Sequence, residues 1–137
     1  MPARVFLDTN VVVYSFDATA PAKRQRAREI LRGSGWFVSW QVVQEFANVA
    51  LHRFEVPLKA GDLKDYLDLV LWPNCGVFPS GTIFAKALEI HARFQYRLYD
   101  SLIVASALAG GASILYSEDL QDGQQVGPLQ IKNPFAS

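Results

Sequence analysis

The chain has 137 residues, half of them hydrophobic and 19% charged, which excludes a disordered or low-complexity chain and fits one domain over residues 1–137. Thirteen Lys and Arg balance thirteen Asp and Glu, so net charge carries no sign of a polyanionic partner. Cys75 is the single cysteine, which excludes an intramolecular disulfide and a cysteine-based zinc cluster and suits a reducing compartment. The N-terminus reaches an acid, Asp8, after three apolar residues in a row, so no signal-peptide core is expected there. No uncharged apolar run approaches the ~20 residues of a membrane span. The expectation is a cytoplasmic protein with no membrane partner.

Arg4 to Leu7 is a short β-prone run ending at Asp8-Thr9-Asn10, which predicts a buried strand and then a turn into a helical segment through Val11-Val12-Val13-Tyr14. Pro21 suits a first helical turn, and Ala27, Ile30 and Leu31 fall at helical spacing before a stop at Gly33 and Gly35. Along this helix Lys23, Arg24, Arg26, Arg28 and Arg32 face the single acid Glu29, as a positive stripe or an ordinary solvated face. Trp36-Phe37-Val38 predicts a second strand, and Ser39 caps a helix from about Trp40 to Arg53. A helix from Leu58 to Leu71 is closed by Trp72-Pro73. Its apolar face either covers the domain's own core or meets a second copy.

Val77-Phe78 reads as a third strand, and Ser80 caps a helix to about Phe94. After a polar linker from Gln95 to Tyr99, Asp100 opens an almost wholly apolar helix that ends at Ala109, before Gly110-Gly111. Ser113 to Tyr116 predicts a fourth strand, and Leu129-Gln130-Ile131 a short last one beyond a turn-rich segment from Asp119 to Pro128. Short apolar strands alternating with helices predict a three-layer α/β domain: a mostly parallel sheet of four or five strands with helices on both faces. Ligands of such sheets bind outside the carboxyl ends of the strands.

Four acids fall where that rule places a site. Asp8 and Asp119 follow strands, Asp100 stands at a helix mouth, and Glu45 lies one turn into the helix after the second strand, about 40° from Val49 on its apolar flank. Each alone also fits a helix cap, a polar turn or a boundary glutamate. Together they can converge at one sheet edge, where crowded carboxylates raise one another's pKa unless a cation neutralises them. With oxygen donors and no Cys or paired His, that cation should be hard, Mg2+ or Mn2+, which suits phosphate ester chemistry.

The segments Phe6-Leu7-Asp8-Thr9-Asn10, Gln44-Glu45-Phe46, Tyr99-Asp100-Ser101-Leu102-Ile103 and Leu115-Tyr116-Ser117-Glu118-Asp119-Leu120 are similar, in this order, to the motifs of the PIN-domain ribonucleases. Most closely they resemble the VapC-type toxins of bacterial and archaeal toxin–antitoxin pairs, over nearly the whole chain from Val5 to Phe135. The resemblance implies a PIN-like fold in which Asp8, Glu45 and Asp100 are the core metal-binding acids and Asp119 the fourth. Asp8 and Asp100 would bind the principal metal, Glu45 would orient or bind through water, and Asp119 would complete an outer position. Asn10 and Ser117 match supporting polar positions, Ser117 standing where threonine is commoner and Ser101 where alanine is frequent. Asp119 is favoured over the adjoining Glu118 by its two-residue spacing from Ser117.

The same resemblance implies Mg2+- or Mn2+-dependent hydrolysis of single-stranded RNA by a metal-activated water, a homodimer, and a cognate antitoxin that blocks the acidic site. Arg24, Arg28, Arg93 and Arg97 then become candidate RNA phosphate contacts. Two other readings compete. An aspartyl-phosphate phosphatase would expect a second Asp two residues after Asp8, where Asn10 stands. A non-catalytic PIN-like module would bind RNA or protein without cutting.

Overall fold

The computed structural model describes residues 4–136; residues 1–3, part of the stretch read for a leader, and residue 137 lie outside them. In chain order the elements are β1 (Val5–Leu7), α1 (Thr9–Tyr14), α2 (Pro21–Arg32), β2 (Trp36–Ser39), α3 (Trp40–His52), α4 (Ala60–Tyr66), β3 (Cys75–Val77), α5 (Gly81–Phe94), α6 (Leu98–Ala109), β4 (Ile114–Tyr116), β5 (Gln125–Val126) and β6 (Leu129–Lys132). The sheet runs β3-β2-β1-β4-β6-β5, parallel throughout except where β5 pairs antiparallel with β6.

β1 and β2 are neighbouring interior strands of the sheet. Phe6 and Leu7 of β1 and all of β2 are buried, as expected of parallel strands covered on both faces. Phe37 packs edge-on to Phe6 with ring centroids 5.3 Å apart. Gly110, just after α6, sits so close above this pair that a Cβ there would come within 2.2 Å of Phe37 and 2.9 Å of Val77. α6 is buried on most sides, with Ile103, Val104, Ala105 and Ala107 all inside. Phe16, Phe46, Phe54 and Tyr66 form an aromatic cluster with centroids 5.0–6.2 Å apart that fastens α4 to α3.

Ser39 and Ser80 cap their helices as expected, accepting from the amides of Val42 at 3.3 Å and Ile83 at 3.2 Å. Several boundaries differ from expectation. Among the described residues the sheet has six strands, because residues inside the turn-rich segment form the antiparallel edge β5. A two-residue strand offers too little alternation to be read from sequence. The third strand is Cys75–Val77, and α6 begins at Leu98, so Asp100 lies in its first turn and Arg97 holds the cap position. The helix expected from Leu58 begins at Ala60 and passes through a π-helical stretch, Leu67–Leu71, into a 3-10 turn, Trp72–Asn74. Pro73 is accommodated in that tighter turn, so the chain loosens and retightens instead of stopping. Among the described residues no helix is long and apolar enough to cross a membrane.

Candidate functional site

β1 and β4 are parallel neighbours, and the Asp8 amide donates to the Tyr116 carbonyl at 3.0 Å, carrying the ladder one residue past β1. That register sets Asp8 beside Ser117 at the carboxyl edge of the sheet. The Ser117 hydroxyl donates to Asp8 Oδ2 at 2.7 Å, and the Thr9 amide to Asp8 Oδ1 at 2.7 Å. Asp8 is 5% exposed. Burial pushes its carboxyl up to about 7; the Ser117 and Thr9 hydrogen bonds oppose this, and the charges of Glu45 and Asp119 add to it.

Glu45 comes to the same edge from α3, one turn beyond the Ser39 cap. Its Oε2 accepts from the Thr9 hydroxyl at 3.3 Å and its Oε1 from Gln41 Nε2 at 2.7 Å. The same Gln41 amide reaches the Tyr99 carbonyl at 3.1 Å, tying α3 to the start of α6. Burial raises the Glu45 carboxyl, and Asp100 and Asp119 raise it further. Asp100 is raised first by burial and then by Asp119, while Arg97 beside it acts in the opposite sense. Asp119 Oδ2 accepts from Asn10 Nδ2 at 3.1 Å, and its amide donates to Ser117 Oγ at 3.2 Å. Among the described residues no lysine or arginine pairs within 4.0 Å with any of these four acids.

The PIN-domain family model matches residues 5–121. The chain belongs to the PIN-domain family. Comparison with curated protein sequences finds no match. Among solved structures, the PIN domain is similar to a toxin–antitoxin complex from Klebsiella pneumoniae, with 16% identity, 95% of this chain and 97% of that one covered, and a TM-score of 0.69. It is also similar to VapBC2 from Rickettsia felis bound to a DNA fragment from its promoter, with 16% identity, coverages of 94% and 97%, and a TM-score of 0.63. A third is Mycobacterium tuberculosis VapC20, described as a sarcin-ricin loop cleaving toxin, with 18% identity, coverages of 84% and 89%, and a TM-score of 0.64. At these identities the likeness is one of fold.

In this PIN domain Glu118 stands apart from the four acids: Tyr14 and Lys23 engage both of its oxygens. The expected phosphate contacts scatter. Arg28 Nε donates to the Ser15 carbonyl at 2.9 Å, Arg93 lies over the Phe94 ring, and Arg24 acts on Asp17. Arg97 adjoins Asp100. The sequence reading did not reach Thr9, which bridges Asp8 and Glu45, or Gln41, four residues before Glu45 and so on its helix face. Nor did it reach Tyr96, whose hydroxyl is buried without a partner among the described residues and whose pKa is raised by burial and by Asp100.

Oxygen donors, three carboxyls raised by burial and by neighbouring acids, and the lack of a pairing lysine or arginine among the described residues make this PIN edge chemically suited to a hard dication. No three of its His, Cys, Asp or Glu side chains are gathered closely enough to hold an ion by themselves among the described residues. Their oxygens rest on Thr9, Ser117, Gln41 and Asn10. Mg2+ keeps several waters and takes only one or two carboxylates directly, so the donor set fits with water completing it.

Proposed function

We propose that this PIN domain is a Mg2+- or Mn2+-dependent endoribonuclease acting on single-stranded RNA in the cytoplasm, as the toxin of a type II toxin–antitoxin pair. The observation that carries this reading is the convergence of Asp8, Glu45, Asp100 and Asp119 on one sheet edge with no lysine or arginine paired to them among the described residues. The fold shared with toxin–antitoxin proteins supports it. Asp8 and Asp100 would hold the ion, Glu45 would act through water, and Asp119 would complete an outer position. A dication bound there supplies charge to polarise the scissile phosphate and to lower the pKa of water. Ser117 and Thr9 hold the Asp8 carboxylate in place, and Gln41 holds Glu45, so their charges are oriented before substrate arrives. Arg97, next to Asp100, would meet a backbone phosphate.

A cognate antitoxin would cover this acidic edge. A homodimer would bury the exposed apolar side chains Trp40, Phe78, Phe84, Leu88 and Tyr99, of which Tyr99 is 70% and Phe78 57% exposed. The Leu58 to Trp72 stretch serves this less well, since Leu63 and Leu71 turn into the core.

The deciding experiment is cleavage of an end-labelled single-stranded RNA pool by antitoxin-free protein in Mg2+ or Mn2+ and in EDTA, beside Asp8→Asn. Metal-dependent cutting lost in the variant is expected. RNA retained in EDTA and uncut in Mn2+ would instead identify a non-catalytic binding module.

A further inference from the structure

Glu118 adjoins Asp119 in the chain, yet its carboxylate is spent outside the acid cluster. Its Oε1 accepts from the Tyr14 hydroxyl at 2.5 Å, and its Oε2 pairs with Lys23 Nζ at 2.6 Å. Lys23 Nζ lies 3.4 Å from the Tyr14 hydroxyl and 4.8 Å from the centroid of its ring. The Tyr14 ring meets Phe135 edge-on at 4.9 Å, and Arg26 Nε donates to the Pro134 carbonyl at 3.2 Å. One carboxylate thus joins the end of α1, the basic helix α2 and the turn after β4.

That turn, residues 117–120, has no regular secondary structure and presents both Ser117 and Asp119 to the site. Its inner side is held by a run of hydrogen bonds. The Glu118 amide donates to Asn10 Oδ1 at 3.3 Å, Asn10 Nδ2 to Asp119 Oδ2 at 3.1 Å, and the Asp119 amide to Ser117 Oγ at 3.2 Å. Asp119 shares this edge with Asp8, Glu45 and Asp100, and like charges so placed repel one another. An isolated surface ion pair contributes little, but here one carboxylate receives a lysine and a phenol together, each through a bond strengthened by the carboxylate's charge. Lys23 also neutralises what would be a fifth negative charge at the site.

We infer that Lys23, Tyr14 and Glu118 form a latch that positions the turn over residues 117–120, holding Asp119 and Ser117 against the repulsion of the other acids so that the site can take its metal. The inference rests on the metal-site reading above. All three are positioning residues.

The test uses metal-free full-length protein with two readouts: Mn2+ affinity by calorimetry, and amide exchange at Glu118 and Asp119 without metal. Lys23→Met, Glu118→Gln, the double variant and Lys23→Arg are compared with wild type. The latch predicts about 10-fold weaker Mn2+ binding in each single neutral variant. It predicts no further loss in the double variant, faster exchange at both amides, and recovery with Lys23→Arg. The sign for Lys23→Met is decisive, because removing a positive charge would otherwise strengthen cation binding. Tighter Mn2+ binding by Lys23→Met, unchanged affinity in both singles, or losses that multiply in the double variant would overturn the latch. Should Lys23→Met fold poorly, Tyr14→Phe takes its place with the same expected weakening. If wild type binds no Mn2+, the metal reading fails, and amide exchange alone decides the latch: unchanged protection at Glu118 and Asp119 refutes it.

Discussion

The Ser117 hydroxyl donates to Asp8 Oδ2 at 2.7 Å, joining residues 109 positions apart across the ends of two parallel strands. It also accepts from the amides of Asp119 and Leu120, so one buried hydroxyl fixes the carboxylate and the turn that faces it. Ser117→Ala should slow RNA cleavage and weaken Mn2+ binding by about 10-fold or more, while Ser117→Thr, which keeps the hydroxyl, should retain both. Single-turnover cleavage rates and calorimetry on the two variants check this.

The Asp8 carboxyl is raised from the ordinary 3.8 to about 7 in the fold, so the folded chain holds that proton more tightly than the unfolded one. Its contribution to stability is full below about 4 and is lost as pH rises through 7. Metal-free Asp8→Asn should therefore lose this pH dependence and melt higher than wild type at pH 8, by about 3–6 °C for roughly 1 kcal/mol gained. Thermal unfolding in EDTA at pH 5 and pH 8 measures both effects. Equal melting temperatures for variant and wild type at pH 8 would contradict the burial of an ionised Asp8.

Metal addition should act in the opposite direction on wild type. A dication that neutralises the acids binds the folded chain alone, so Mn2+ at 100 times its dissociation constant should stabilise the protein by about 2.7 kcal/mol. EDTA should reverse the gain, and Asp100→Asn should reduce it. Melting curves across a Mn2+ titration provide the check.

Gly110→Ala forces a methyl to within 2.2 Å of Phe37. Phe37 is held by Phe6 and by the Arg4 guanidinium 4.4 Å from its ring centroid, so it has little room to move. The substitution should destabilise the domain by about 1–3 kcal/mol. Urea unfolding measures it.

The apolar side chains beside the acidic edge give a test of self-association. Phe84→Glu, on α5 and 45% exposed, should shift a dimer to monomer. Light scattering across a concentration series reads the outcome.

Local chemistry in the sequence was enough to determine the parallel α/β architecture, the serine caps at Ser39 and Ser80, and the placement of Asp8, Glu45, Asp100 and Asp119 near strand ends and helix starts. Hydrophobic period, turn residues and capping side chains act over a few residues, so they can be read along the chain. Only the tertiary structure decided that β4 lies next to β1, which brings Ser117 onto Asp8. It also decided that Thr9 and Gln41 hold Glu45, and that Lys23 and Tyr14 draw Glu118 out of the acid cluster while leaving Asp119 in it. Strand order and side-chain pairing depend on contacts between residues far apart in the chain, and two adjacent acids look alike until the fold gives each its partners.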